Sequence, residues 1–377
     1  MKRIMKNSAV QSLLASLACI IVGLLIGYIV LLFINPAGAW DAILTVIKNF
    51  FYYPSKPAAL KYFGSTLVKT VPLMLCGLSV LFAYKVGLFN IGAAGQYVAG
   101  AGAALYLALA LNQPWYVCVI GAMLAGAMLG AISGALKSYC NVNEVISCIM
   151  LNWISLYVVN MILTTVKETT SPYTFTLSST NPAALIPSLG LGKLFSNNQY
   201  VTIALPIAIL VSILIWVLLE KTKFGYELRA TGSNKNAAKY CGMNEKRNII
   251  LTMVIAGALA GLGAALLFLT GFEQWQCSQS SVPTMGFNGI AAAFLGGLHP
   301  IGSIFSSYFI QHITNGGAYV DKTTYCAQIS DLISSIIIYL CSFGFFFKYV
   351  LNKWLDRREE QQNKKAQAAA EKGGQAE

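Results

Sequence analysis

The sequence predicts an all-α, polytopic integral membrane protein of about ten transmembrane helices, and three observations carry that prediction. Of 377 residues, 56% are hydrophobic and only 11% are charged. A water-covered globular domain carries roughly 25% charged residues, so two or three soluble domains are excluded. The hydrophobic residues gather in runs of about twenty, long enough to cross a bilayer at about 1.5 Å per residue. The formal net charge of +12 collects at the ends of those runs. That placement marks the cytoplasmic side of a membrane rather than a nucleic-acid surface.

The first apolar run, 13–34, follows Lys2, Arg3 and Lys6. It is longer than the roughly 7–15-residue core of a signal peptide, so a retained anchor is expected. Further runs at 66–84, 90–111, 115–136, 144–166, 200–219, 248–270, 284–298, 301–318 and 328–349 make ten. The run 284–298 spans about 22 Å if helical, so it either crosses at a stretch or re-enters. With the N-terminus inside, inner segments hold 19 of the 26 Lys and Arg, and outer segments hold six. The remaining one, Lys69, sits a turn inside its span, where it is expected to snorkel to the outer interface. A nine-span arrangement would strand Lys353, Arg357 and Arg358 outside. Ten spans with both termini cytoplasmic are therefore expected. Residues 1–355 read as one transmembrane domain interrupted by a cytoplasmic loop at 220–248, and 356–377 as a solvated, disordered tail.

Gly126, Gly130 and Gly134 recur every fourth residue, as do Gly257 and Gly261. In lipid, small residues at that spacing let helix backbones approach closely. The runs beginning at Phe89-Asn90 and Phe287-Asn288 both continue to an Ala-Ala pair, at 93–94 and 291–292. In the topology above, one group of four spans (2–5) starts outside and the other (7–10) inside. That is the arrangement of an inverted repeat, whose interrupted helices surround a transport path.

Glu144, Ser147, Asn152 and Ser155 share one helical arc of the fifth span. Polar residues at that depth either line a path or bind helices to one another. No catalytic set is visible. His299 and His312 are the only two histidines, and HExxH, GxSxG and GxxxxGK[ST] patterns are missing. The nine cysteines form no CxxC or Cys/His cluster, so neither a metal centre nor a cofactor is expected. Cys277 and Cys326 alone could meet outside the membrane. The 220–248 loop exceeds what a linker needs and accommodates two short helices, with Gly225 and Gly232 as breaks and Ser233 or Asn234 as a cap.

Three motifs occur in order: GLFNIGAAGQ at 87–96, NEVI at 143–146 with IMLN at 149–152, and YELRATG at 226–232. Together they resemble the permease subunits of ABC importers for simple sugars and nucleosides, in particular the nucleoside branch served by basic-membrane-protein-type binding lipoproteins. The resemblance implies a membrane subunit that imports a nucleoside or simple sugar and is not itself an enzyme. It would sit in the cell membrane beside a second, related permease, with a separate ATPase docked on the 220–248 loop and an external lipoprotein delivering substrate. Phe89, Asn90, Gln96, Glu144, Asn152, Phe287 and Asn288 would then lie along the substrate pathway. Gly225, Tyr226, Glu227, Leu228, Arg229, Gly232 and Asn234 would couple to the ATPase. Ala94 and Asn288 depart from the acidic residues usual in that family. The competing reading is an ion-coupled carrier using Glu144 and Asp331.

Overall fold

The computed structural model describes residues 8–320 and scattered positions between 325 and 357. Most of the expected tenth span, with Asp331 and Cys326, and nearly all of the tail lie outside the described residues. The main helices in chain order are α1 (Ser8–Ile34), α2 (Ala39–Lys48), α3 (Lys56–Lys85), α4 (Ala93–Leu109), α5 (Trp115–Cys140) and α6 (Glu144–Leu163), followed by α7 (Ala204–Lys221), α8 (Lys223–Ser233), α9 (Lys235–Tyr240), α10 (Glu245–Phe268), α11 (Met285–Leu295) and α12 (Pro300–Gly316). Among the described residues no strand forms beyond two isolated bridges, Lys167 with Thr174 and Tyr173 with Gln276.

Among the described residues, five helices suffice by length and composition to cross a membrane: α3, α5, α6 with the turn that extends it to Val166, α7 and α10. Ala18–Ile34, α4 and α11 are shorter apolar helices. The third expected span starts later than its apolar run, because the chain turns through Gly87 at φ 75° before α4 begins at Ala93. The eighth is cut to 11 residues, about 16 Å. Gly297 and Leu298 at φ 67° and 53° end it, so it is too short to cross. The amphipathic helix α2, between the first two spans, was not apparent in the apolar pattern.

Helices α3 and α10 form the centre and are buried over most of their length. α10 packs across α3, α4 and α5, while α3 also takes α11 and α12. The glycine stripes make the tightest of these crossings. A Cβ on Gly126 would fall on the carbonyl oxygen of Gly257, and one on Gly261 on that of Ala122. Backbone against backbone at this distance excludes any side chain. Gly257→Leu should therefore destabilise the chain by about 3 kcal/mol, the upper end of an overpacking penalty, read as a lowered thermal midpoint in detergent. An unchanged midpoint would remove the crossing from the core.

Lys69 does not reach outward alone. It pairs with Glu273 at 3.2 Å, beyond the end of α10, and lies over the Phe272 ring. Cys277 is a buried free thiol.

Candidate functional site

The interrupted segment before α4 organises a buried polar cluster. A helix leaves its first N–H groups without partners of its own, and here a neighbouring helix supplies one. Asn152 on α6 accepts from the Gly95 N–H through Oδ1 at 2.8 Å and donates through Nδ2 to the Ile91 carbonyl at 3.1 Å. One turn on, Ser155 donates to the Gly95 carbonyl at 2.9 Å. Beside them Asn90 donates to Ser79 Oγ at 2.9 Å and to Gln96 Oε1 at 2.8 Å, and Gln96 donates back at 3.2 Å. Asn90, Gln96 and Asn152 are all buried, so these bonds replace water almost completely. The adjacent cavity, lined by Gly92, Gln96, Ser133, Cys148 and Asn152 among others, holds about one water molecule. A sugar or nucleoside has no room there.

The fifth-span arc thus faces α4, with Ser147, Asn152 and Ser155 buried. Glu144, at its foot, is held by Lys137 at 2.7 Å. Phe89 is half-buried in the turn, Phe287 is partly exposed, and Asn288 is half-buried on α11. Among the described residues no hydrogen bond or ring contact joins Phe287 or Asn288 to the cluster around Asn90.

The 220–248 loop forms the two helices expected, but Gly225 and Gly232 lie inside α8 rather than breaking it, and the interruption falls at Asn234. Thr222 caps α8 by accepting from Gly225 N–H at 3.0 Å, and Asn234, rather than Ser233, caps α9 by accepting from Ala237 N–H at 3.0 Å. α8 is seated by its inner face. Leu228 is buried, Gly225 lies against the carbonyls of Leu218 and Leu219, and Asn248 of α10 donates to Thr231 at 2.8 Å. Gly232 rides on the turn that leads to Asn90. A Cβ there would stand 2.7 Å from Val86 Cα, closer than a side chain tolerates. Arg229 pairs with Glu220 at 3.1 Å, and Glu227 lies 4.0 Å from Lys223. Near Glu220 and Lys85, His299 caps α12 through Nδ1 at 3.2 Å from Ile301 N. Burial, with Lys85 adding to it, holds its imidazole below the ordinary value.

The outward face of this loop carries Tyr226, and Tyr240, which is 92% exposed, with Lys235 and Lys239 beside it. Tyr240 was missed in the sequence, although an aromatic in a polar six-residue helix is itself a sign of a contact surface. A second polar network was missed too. Gln311 on α12 donates to Asn315 at 2.9 Å, Asn315 donates to Thr66 at 3.3 Å, and Asn49 donates to the His312 carbonyl at 2.8 Å. Among the described residues no group of three or more His, Cys, Asp or Glu is placed to hold a metal ion.

Comparison with known proteins bears on this arrangement. The chain is 31% identical to the guanosine ABC transporter permease protein NupP of Bacillus subtilis over 90% of its own length and 96% of that protein. It is 32% identical to the nucleoside ABC transporter permease protein NupB of Lactococcus lactis over 92% of its length and 95% of that protein. A second Bacillus subtilis protein, the guanosine ABC transporter permease protein NupQ, is 29% identical over 65% of this chain and 78% of its own. No solved structure matches. The family model described as "Branched-chain amino acid transport system / permease component" matches residues 62–342, which takes in α4, both short helices of the loop and the α5–α10 crossing. The chain belongs to that permease family.

Proposed function

We propose that the chain is the permease subunit of an ABC importer that carries a nucleoside, or a simple sugar, into the cytoplasm, driven by ATP hydrolysed on a separate subunit. The observation that carries this reading is similarity over nine-tenths of the chain to permeases named for guanosine and nucleosides. Likeness to both NupP and NupQ, two guanosine permeases of one strain, supports a second, related permease beside it. The ATPase would grip the exposed Tyr226, Lys239 and Tyr240 face, and an external binding lipoprotein would deliver substrate.

The proposed topology has ten spans with both termini inside. Two inverted repeats agree with the pairwise packing: α3 meets α11 as α10 meets α4, and α3 meets α12 as α10 meets α5. The shortened α4 and α11 would then flank the path from opposite repeats. Phe89, Asn90, Gln96, Asn152, Phe287 and Asn288 would act there by holding these interrupted helices in place, with Glu144 anchoring the inner end of α6. Gly225, Leu228, Arg229, Gly232 and Asn234 would fix the shape of the coupling loop, and Tyr226 and Glu227 would present it.

Reconstitution into vesicles with the second permease, the ATPase and the lipoprotein should give nucleoside uptake that stops when the ATPase is left out. Uptake that persists without it and follows an imposed ion gradient would establish the carrier reading instead.

A further inference from the structure

The exposed side of α6 differs from the exposed sides of its neighbours. On α5 the outward residues read Tyr116, Ile120, Leu124, Met128, Ile132 and Tyr139. Aromatic rings with polar atoms stand at the two ends, and aliphatic or thioether groups lie between. That is the pattern of a lipid-facing helix, with its amphipathic rings at the two interfaces. On α7 the outward residues Leu210, Ile213, Leu214 and Val217 follow the same rule. On α6 the outward Ile146, Ile154 and Val158 follow it too, but two residues break it. Trp153 and Tyr157, exposed by 42% and 58%, sit about 13 and 19 Å from the helix start, at and just beyond its midpoint. Their rings are stacked, with centroids 6.2 Å apart and planes 24° from parallel.

Against acyl chains the Trp153 indole N–H and the Tyr157 hydroxyl would meet no acceptor, and neither has a hydrogen-bond partner among the described residues. An unpartnered polar group in hydrocarbon is strongly disfavoured. Two such groups side by side at mid-depth therefore mark a face turned away from lipid, to water, to a polar ligand or to the second permease. The buried polar cluster lies on the opposite side of the same helix, where Asn152 and Ser155 are spent on α4, so it does not serve this face. Met150 and Met161 flank the pair and are exposed, and thioethers pack readily on ring edges.

We propose that Trp153 and Tyr157 form a stacking platform for the base of the transported nucleoside, midway along the path. A flat heteroaromatic ring with hydrogen-bonding edges matches both parts of this surface, the ring faces and the two unpartnered donors. The inference rests on the importer reading above. It adds the part of the molecule that selects a base over a bare sugar.

The test uses the complete reconstituted transporter and labelled guanosine. Uptake by the parent assembly tests the importer reading on its own. Trp153→Leu should then raise the KM for guanosine about tenfold, the loss of one base–aromatic stack, while Trp153→Phe keeps most of the affinity. In the same assembly, with the exposed Cys140 and Cys241 replaced by serine, Trp153→Cys should react with a membrane-impermeant maleimide, and guanosine, but not ribose, should protect it. Parent-like uptake by Trp153→Leu, or failure of Trp153→Cys to label, would overturn the platform. So would loss of the second permease from purified Trp153→Leu, since the pair would then be a subunit contact.

Discussion

Gly232→Ala is expected to cut ATP-driven uptake by about tenfold or more, the scale of a typical coupling free energy, while the ATPase still co-purifies with the permease. A methyl group at this position would stand 2.7 Å from Val86 Cα and 2.8 Å from its carbonyl oxygen. These are backbone atoms, which cannot swing aside as a flexible side chain does. Helix α8 would have to lift from the 85–88 turn, and that turn leads within two residues to Asn90 and the cluster at the start of α4. The outward face with Tyr226 and Tyr240 is untouched by the change, so binding of the ATPase should survive. Uptake and hydrolysis measured on the same vesicles decide the matter. Hydrolysis that continues without uptake is the expected signature, and fully coupled transport would take the Gly232–Val86 approach out of the mechanism.

Asn152→Leu should lower the stability of the permease by about 1–3 kcal/mol for each backbone group it orphans. Two are at stake: the Gly95 N–H, 2.8 Å from Oδ1, and the Ile91 carbonyl, 3.1 Å from Nδ2. Leucine keeps the branched, four-heavy-atom shape of asparagine and is somewhat bulkier, so the loss does not come from a cavity. Thermal unfolding of the detergent-purified complex gives the measurement. Pairing the change with Ser155→Ala in a double-mutant cycle separates the cap from the neighbouring bond to the Gly95 carbonyl. A parent-like melting temperature for Asn152→Leu would show that α4 needs no partner at its N-terminus.

Membrane insertion, the apolar runs and the glycine-stripe crossing were legible in the sequence, because each depends on composition or on a spacing that helix geometry fixes. Gly126, Gly257 and Gly261 met as their period required. The two-helix loop with Asn234 as a cap was also legible, since capping is local. What could not be read was the partner of each polar side chain. The arc of Ser147, Asn152 and Ser155 is compatible with a wet path or with a dry helix contact, and only the position of Gly95 decides that it meets α4. The Lys69–Glu273 pair joins residues some two hundred positions apart, and no periodicity announces it. The shortness of α11 was legible in part: the 284–298 run is already short for a span, but hydropathy counts its apolar residues to Leu298 although the helix stops at Leu295 and Gly297 and Leu298 have turned the chain.

The aromatic ends of α5 have a further consequence. Tyr116 and Tyr139 stand 23 residues apart, about 35 Å along the helix, and define the slab thickness that this subunit fits without tilt. Lipids with shorter tails would force α5 to lean. Because Gly126 and Gly130 are packed directly onto α10, the lean would be transmitted to the central helices. Transport by this permease should therefore be sensitive to acyl-chain length, with an optimum set by two tyrosines.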